Sequence, residues 1–191
     1  MRKLLKTTVI SLILLVGVAA GAVGYHFATT PTFQMIAVYM DPDYGPSAFT
    51  WGAEKAFYIF HPEEADVEQL NREAGAQYVV DVFSAEEARP ILEHLLEHGL
   101  DINSVETVTG KGLTALHAAA LSNNRSGVEL LLEYGADPQL TDNEGRTALE
   151  LAKASDEARP EMDYGSVIEL LEKATVANDK AQEPSQQARS G

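Results

Sequence analysis

Cysteine is absent from the 191 residues. That absence removes disulfides, thiolate metal sites, cysteine nucleophiles and acylated lipoprotein anchors together, so packing and hydrogen bonds must hold the fold. Basic side chains are scarce: 14 Lys and Arg stand against 29 Asp and Glu, for a formal net charge of -15, and Arg2, Lys3 and Lys6 all lie at the extreme N-terminus. A field of that sign repels phosphate backbones and anionic headgroups, which argues against nucleic acid and for a protein partner with a basic surface. The same acidity also keeps a small domain soluble. Glycine-rich phosphate loops, nucleophile elbows and a Ser-His-Asp arrangement are missing as well, and no cofactor is expected.

A second absence is local. Between Lys6 and Asp41 there is no Asp, Glu, Lys or Arg, and Val9 to Val23 is an apolar run. A basic cluster ahead of such a run is an address. Cleavage as a secretion signal needs small residues before the cut, which Ala20, Gly21 and Ala22 supply. A membrane span needs about twenty apolar residues, which Val9 to Ala28 supply if Ser11 and His26 are tolerated. Apolar character continuing through Val23, Tyr25 and Phe27 favours an uncleaved anchor over residues 1–28, with Tyr25 and Phe27 at the far interface. The positive residues stay in the cytoplasm, so in a bacterium the remainder enters the periplasm. The expectation is a single-pass inner-membrane protein, with release after cleavage near Ala22 as the alternative.

The remainder repeats itself. GLTALHAAA at 112–120 recurs 33 residues later as GRTALELAK at 145–153, and LLEHGLDIN at 95–103 recurs 36 residues later as LLEYGADPQ at 131–139. Thr114 and Thr147 stand where a helix starts and can cap it, placing Leu116, Ala119, Leu149 and Ala152 on one apolar face. Ser126 before Glu129 and Ser166 before Glu169 read as capping boxes opening second helices. Gly99 and Gly135 stand where a helix ends in a left-handed residue, and the following Asp starts a turn. Pro90 reads as lying near the first turn of a helix that includes Leu92.

These alternating elements resemble the ankyrin repeat, with Ala115 and Ala148 where that family usually has proline. The resemblance implies an all-α solenoid of helix-turn-helix units behind an N-terminal transmembrane or signal helix. The expected map is an aromatic-rich cap or linker over 29–60 and a repeat domain over 61–176. Within the latter, clear repeats cover 109–141 and 142–176, and a degenerate one covers 73–108, with a distorted half unit before it. Three units are about the minimum for a stable stack. The last repeat departs from the pattern by inserted residues around Ala158 to Asp163, and 177–191 reads as a disordered tail. Phe33, Tyr39, Tyr44, Phe49, Trp51, Phe57, Tyr58 and Phe60 crowd the segment 29–60, as an end cap or as a patch facing a partner.

The resemblance also implies a binding face made by loop tips and first helices. By position that face comprises Gly110, Lys111, Leu113, Leu121, Ser122, Asn143, Glu144, Arg146, Ala154 and Ser155. His117 falls on the family's structural histidine, bridging neighbouring loops, while its counterpart Glu150 leaves that bridge in doubt at the end of the array. His94, Glu97 and His98 spell the H-x-x-E-H of inverted zinc peptidases, yet they fall at a helix end within the repeat and no third ligand is visible, so neither a metal site nor an enzyme is expected. Asp41-Pro-Asp43 and Asp142-Asn-Glu144 lack calcium-loop spacing. The expected function is an envelope protein-interaction module, such as an inhibitor or immunity protein for a toxin, or an assembly or stress-protection factor. The alternatives are a zinc-dependent hydrolase and a membrane-associated spacer. Oligomeric state is open.

Overall fold

The computed structural model describes residues 17–18, 21–36, 47–73 and 75–187. The chain divides into two units, Met1–Glu63 and Glu64–Gly191. In the first, residues 21–28 are helical, Thr32–Gln34 forms a single turn, and helix α1 spans Ser47–Phe60. Its core is Phe27, Met35, Ile36, Ala53, Ala56 and Phe57. The buried imidazole of His61 ties these pieces together: Nε2 donates to the Phe27 carbonyl at 2.8 Å, leaving Nδ1 to accept from the Thr32 hydroxyl at 3.1 Å. Of the aromatic segment, Phe57 is buried whereas Trp51 and Phe60 are exposed. Tyr39 and Tyr44 lie outside the described residues.

Among the described residues no helix is long and apolar enough to cross a membrane. Most of the apolar run from Val9 to Val23 falls outside them.

The second unit begins with α2, Glu64–Arg72, followed by three helix pairs: α3 (Ala76–Val82) with α4 (Ala85–Glu97), α5 (Ala115–Leu121) with α6 (Arg125–Glu133), and α7 (Ala148–Ala158) with α8 (Gly165–Gln187). The first helices stack as an inner row, α3 on α5 on α7, and the second helices as an outer row, α4 on α6 on α8. Apart from two isolated β-bridges, no strand occurs among the described residues. The inner row is close because its contact residues are small: Ala115, Ala118, Ala119, Ala120, Ala148 and Ala152 are buried, with Leu116 and Leu151 filling between them. Leu92, Leu95, Leu131, Val167 and Leu171 form the matching seam of the outer row.

Helix ends are set by the capping expected from the sequence at some positions and not at others. The Thr114 and Thr147 side chains accept from the backbone N–H three residues on, within full capping boxes completed by His117 and Glu150. Ser84 and Glu87 make a third box at the start of α4. Pro90 therefore lies in the interior of that helix, beyond its first turn, a correction to the expectation. Ser126 and Ser166 do not cap. Asn124 opens α6 by accepting from Gly127 N–H at 2.9 Å, and Asp163 accepts from Gly165 N–H at 2.9 Å ahead of α8. In both cases a short side chain one turn or less upstream takes the orphan N–H first.

At the other ends, Gly99 and Gly135 have φ of 99° and 88°. Leu100 and Ala136 N–H then bond back to the Leu95 and Leu131 carbonyls at 2.9 and 3.0 Å, closing each helix as a left-handed residue allows. Asn123, with φ 55°, does the same for α5.

Within the segment 177–191, expected as a disordered tail, α8 continues to Gln187, and residues 188–191 lie outside the described residues. Asn178 donates to the Asp137 carboxylate at 2.9 Å and Gln139 donates to Asp179, so the first residues beyond the repeat are held against the preceding turn. Helix-favouring Ala, Lys and Gln then carry the helix onward.

Leu131 sits at the centre of the outer row with no exposure. Leu131→Ala is expected to cost about 2 to 5 kcal/mol through lost contacts and the cavity left behind. The measurement is the urea unfolding midpoint of the full chain, and an unchanged midpoint would show that the outer row does not carry the fold.

Candidate functional site

Each inner helix is entered through a hairpin finger. The first is closed by the bridge Val105↔Thr114 and the second by Thr141↔Thr147, the first being the longer. A buried carboxylate holds each finger. Burial by itself raises the Asp142 carboxyl, but bonds from the Arg146 and Glu144 backbone N–H at 2.9 Å and from the Arg146 guanidinium at 2.8 and 3.0 Å outweigh it and keep the group below the usual aspartate value. Glu106 is the counterpart in the first finger. Burial raises its carboxyl too, and the Thr109 hydroxyl and Thr109 N–H, the latter at 2.7 Å, bring it below the usual range.

His117 joins the fingers to the helices. Its Nδ1 accepts from Thr114 N–H at 3.2 Å and from the Thr114 hydroxyl at 2.8 Å, which leaves Nε2–H to donate to the Arg146 carbonyl of the next finger at 3.0 Å. These partners define a neutral tautomer, and burial pushes the imidazole below the usual histidine value. In the last repeat Glu150 completes the Thr147 box, accepting from Thr147 N–H at 2.8 Å. No described residue follows it in the place of a further finger.

The tips are bonded to each other. Asn143 N–H donates to the Lys111 carbonyl and its side-chain amide donates to the Gly110 carbonyl, both at 2.9 Å. This close approach requires Gly112, whose φ is 70° and where a Cβ would stand 2.5 Å from the Asn143 Oδ1. A parallel ladder runs along the turns behind the outer helices. Asn71 bonds the Gly99 carbonyl and Asp101 N–H, and Asn103 repeats this with Gly135 and Asp137.

The structure separates the ten residues assigned to a binding face. Gly110, Lys111, Ser122, Asn143, Glu144 and Ala154 are exposed, and Leu113, Leu121 and Arg146 are half-buried. Ser155 is buried inside α7, because the turns of the helix carry it past the rim into the core, and it is corrected out of the face. Arg146 and Asn143 are engaged in holding the fingers. Leu121 is covered by the inserted loop of the last repeat, where Tyr164 hydroxyl and Arg159 donate to its carbonyl at 3.0 and 3.2 Å. The side chains left to meet a ligand are Lys111, Ser122 and Ala154, beside the exposed Glu144, whose carboxylate pairs with the Arg146 guanidinium at 2.9 Å.

Val105 and Val108, absent from the expected face, add to it as exposed apolar residues of the longer finger. The signal was Val105 and Val108, two apolar β-branched residues in a connecting loop.

His94 and His98 share a helix face with ring centroids 4.4 Å apart, and His98 Nδ1 donates to the His94 carbonyl at 2.7 Å. Among the described residues no group of three or more His, Cys, Asp or Glu converges as a metal site would. On the outer row, Arg89 forks onto Glu133 at 2.6 and 2.8 Å while Tyr134 donates to Glu93 at 2.6 Å, an exposed clamp between repeats.

Two expected outcomes follow from the buried groups. The His117 contribution is fully present above about pH 6.5 and is lost as pH falls through the lower folded value, since the unfolded chain takes up a proton that the folded chain refuses. Unfolding midpoints taken from about pH 7.5 to 5.5 should therefore fall for the wild type and fall less for His117→Gln, and parallel slopes would reject the role. Gly112→Ala should lower the melting temperature and speed amide exchange at Asn143. Exchange at Asn143 equal to the wild type would show that the tips are not coupled.

Comparison with known proteins gives a consistent result. A family model of ankyrin repeats (three copies) matches residues 82–180. The chain is similar to an ankyrin repeat and LEM domain-containing protein 1 homolog of Caenorhabditis elegans, 41% identical over 32% of this chain and 8% of that protein. It is also similar to protein phosphatase 1 regulatory subunit 27 of Mus musculus, 47% identical over 26% of this chain and 32% of that protein. Diacylglycerol kinase iota of Mus musculus is 40% identical over 33% of this chain and 6% of its own length. The chain thus spans well under half the length of each of these relatives.

Proposed function

We propose, from the premise that this chain belongs to the ankyrin-repeat family, that its repeat unit binds another protein through the face made by the finger tips and the inner helices. Ankyrin repeats are protein-protein interaction modules and in general not catalytic. The observation that carries the assignment to this face is the pairing of Asn143 with Gly110 and Lys111. It turns two loops into one edge, so that Val108, Lys111 and Glu144 are presented on a backbone already ordered before binding.

The partner carries a basic surface, since the acidic excess of the chain attracts one. The N-terminal 28 residues hold the protein at the bacterial inner membrane, or direct its release after Ala22, and the repeats work in the periplasm. There the protein acts as an inhibitor or immunity protein against a basic toxin, or as an assembly or stress-protection factor. Support for the compartment is the basic cluster followed by an uncharged apolar run.

Crosslinking in intact cells tests the binding face. Val108→Asp, Lys111→Glu and Ala154→Lys together, which leave Asn143, Asp142 and the pair of Glu144 and Arg146 in place, should reduce recovery of a specific envelope partner by about tenfold or more. Recovery unchanged by this triple variant would move the binding site elsewhere.

A further inference from the structure

Large apolar side chains left in solvent concentrate in the N-terminal unit. Among the described residues Tyr25 is 74% exposed, Trp51 63% and Ile59 70%, with Val18, Val23 and Phe60 also exposed, whereas those of the repeat unit are four valines, Val82 and Val176 on two helices and Val105 and Val108 together on the longer finger. Helix α1 is apolar on both sides. Ala53, Ala56 and Phe57 face the core of the unit. Opposite them, Trp51, Lys55 and Ile59 follow at i, i+4 and i+8 and so share the outer face, where a soluble surface helix carries its charges.

The charges present on that side balance. Lys55 pairs with Glu54 at 2.8 Å, so α1 is locally neutral in a chain of net charge -15. It is also fixed beside the end of the N-terminal apolar stretch, Val9 to Ala28. Phe27 packs over Gly52, at 3.6 Å from the position of a Cβ there, and His61 binds the Phe27 carbonyl at 2.8 Å.

We infer that the Trp51, Lys55 and Ile59 face of α1 lies in the headgroup region of a zwitterionic bilayer, beside the point where the N-terminal apolar run leaves the membrane. This rests on the anchor reading. Lipid fits the face better than a protein groove does. Trp and Tyr favour the membrane-water boundary, Lys55 can extend its ammonium to the headgroups while its stem stays apolar, and the neutral Lys55 and Glu54 pair adds no net charge to this face. The area covered would be small, which suits an orienting contact that adds to an anchor and does not replace it.

Trp51 is the chain's sole tryptophan, so its fluorescence reports on the face directly. The full chain is reconstituted into phosphatidylcholine vesicles, and quenching of Trp51 by brominated lipid is compared with quenching by acrylamide, with alkaline extraction of the same vesicles in parallel. Quenching by brominated lipid, protection from acrylamide and a blue-shifted emission are the expected result. Ile59→Asp, with its helix content checked by circular dichroism, should lose the lipid quenching and regain the acrylamide quenching. A protein that resists extraction while Trp51 is quenched by acrylamide alone overturns this inference and leaves the anchor standing. A protein that is extracted although Trp51 was quenched by lipid supports the face and removes the anchor. Lipid quenching unaffected by Ile59→Asp overturns the assignment of the face.

Discussion

The bond from the His117 imidazole to the Arg146 carbonyl is the contact on which the register of the repeats depends. One ring nitrogen is committed to Thr114, at the start of the histidine's own helix, and the other to the next finger. A buried side chain with a single satisfied tautomer permits one spacing between adjacent units, because any slip leaves a polar atom unpaired in the core at a cost of about 1 to 3 kcal/mol. The small residues of α5 and α7 make the same demand from the apolar side, since alanines stack closely only when the helices are aligned.

From that node the rest of the finger edge follows. The Arg146 backbone that receives His117 also returns to Asp142, whose buried carboxylate fixes the turn and so places Asn143 against Gly110 and Lys111. The edge built this way owes its rigidity to Asp142, Arg146 and Asn143. Arg146 and Asn143 both stand at positions assigned from the sequence to the binding face, and both hold the fingers. At the far end, where Glu150 replaces the histidine, an inserted loop finishes the stack instead. Tyr164 is fully buried and its hydroxyl reaches the Leu121 carbonyl, while Arg159 lies 5.3 Å above its ring.

Much of this was legible in the residues. Thr114 and Thr147 declared two helix starts, Gly99 and Gly135 two helix ends, and the recurrence of GLTALHAAA declared a repeat, because capping and left-handed turns are decided within a few residues. Ser126 and Ser166 misled for the same reason in reverse. Local chemistry allowed them to cap, but Asn124 and Asp163 lie upstream and take the first N–H groups. The degenerate first pair had no Thr-x-Leu-His signal at all, yet Ala76–Val82 takes the inner-row position by packing on α5, with Val79 and Val80 buried.

By itself, then, the sequence determined the class of fold, the phase of the repeats and the distribution of charge, all properties of short spacings and of composition. Only the tertiary structure decided which of the repeat residues are available. Whether Ser155 meets solvent depends on the packing around α7, and whether Leu121 is open depends on neighbours 38 and 43 residues away. Those distances are closed by packing and by hydrogen bonds across the stack, and no local pattern encodes them.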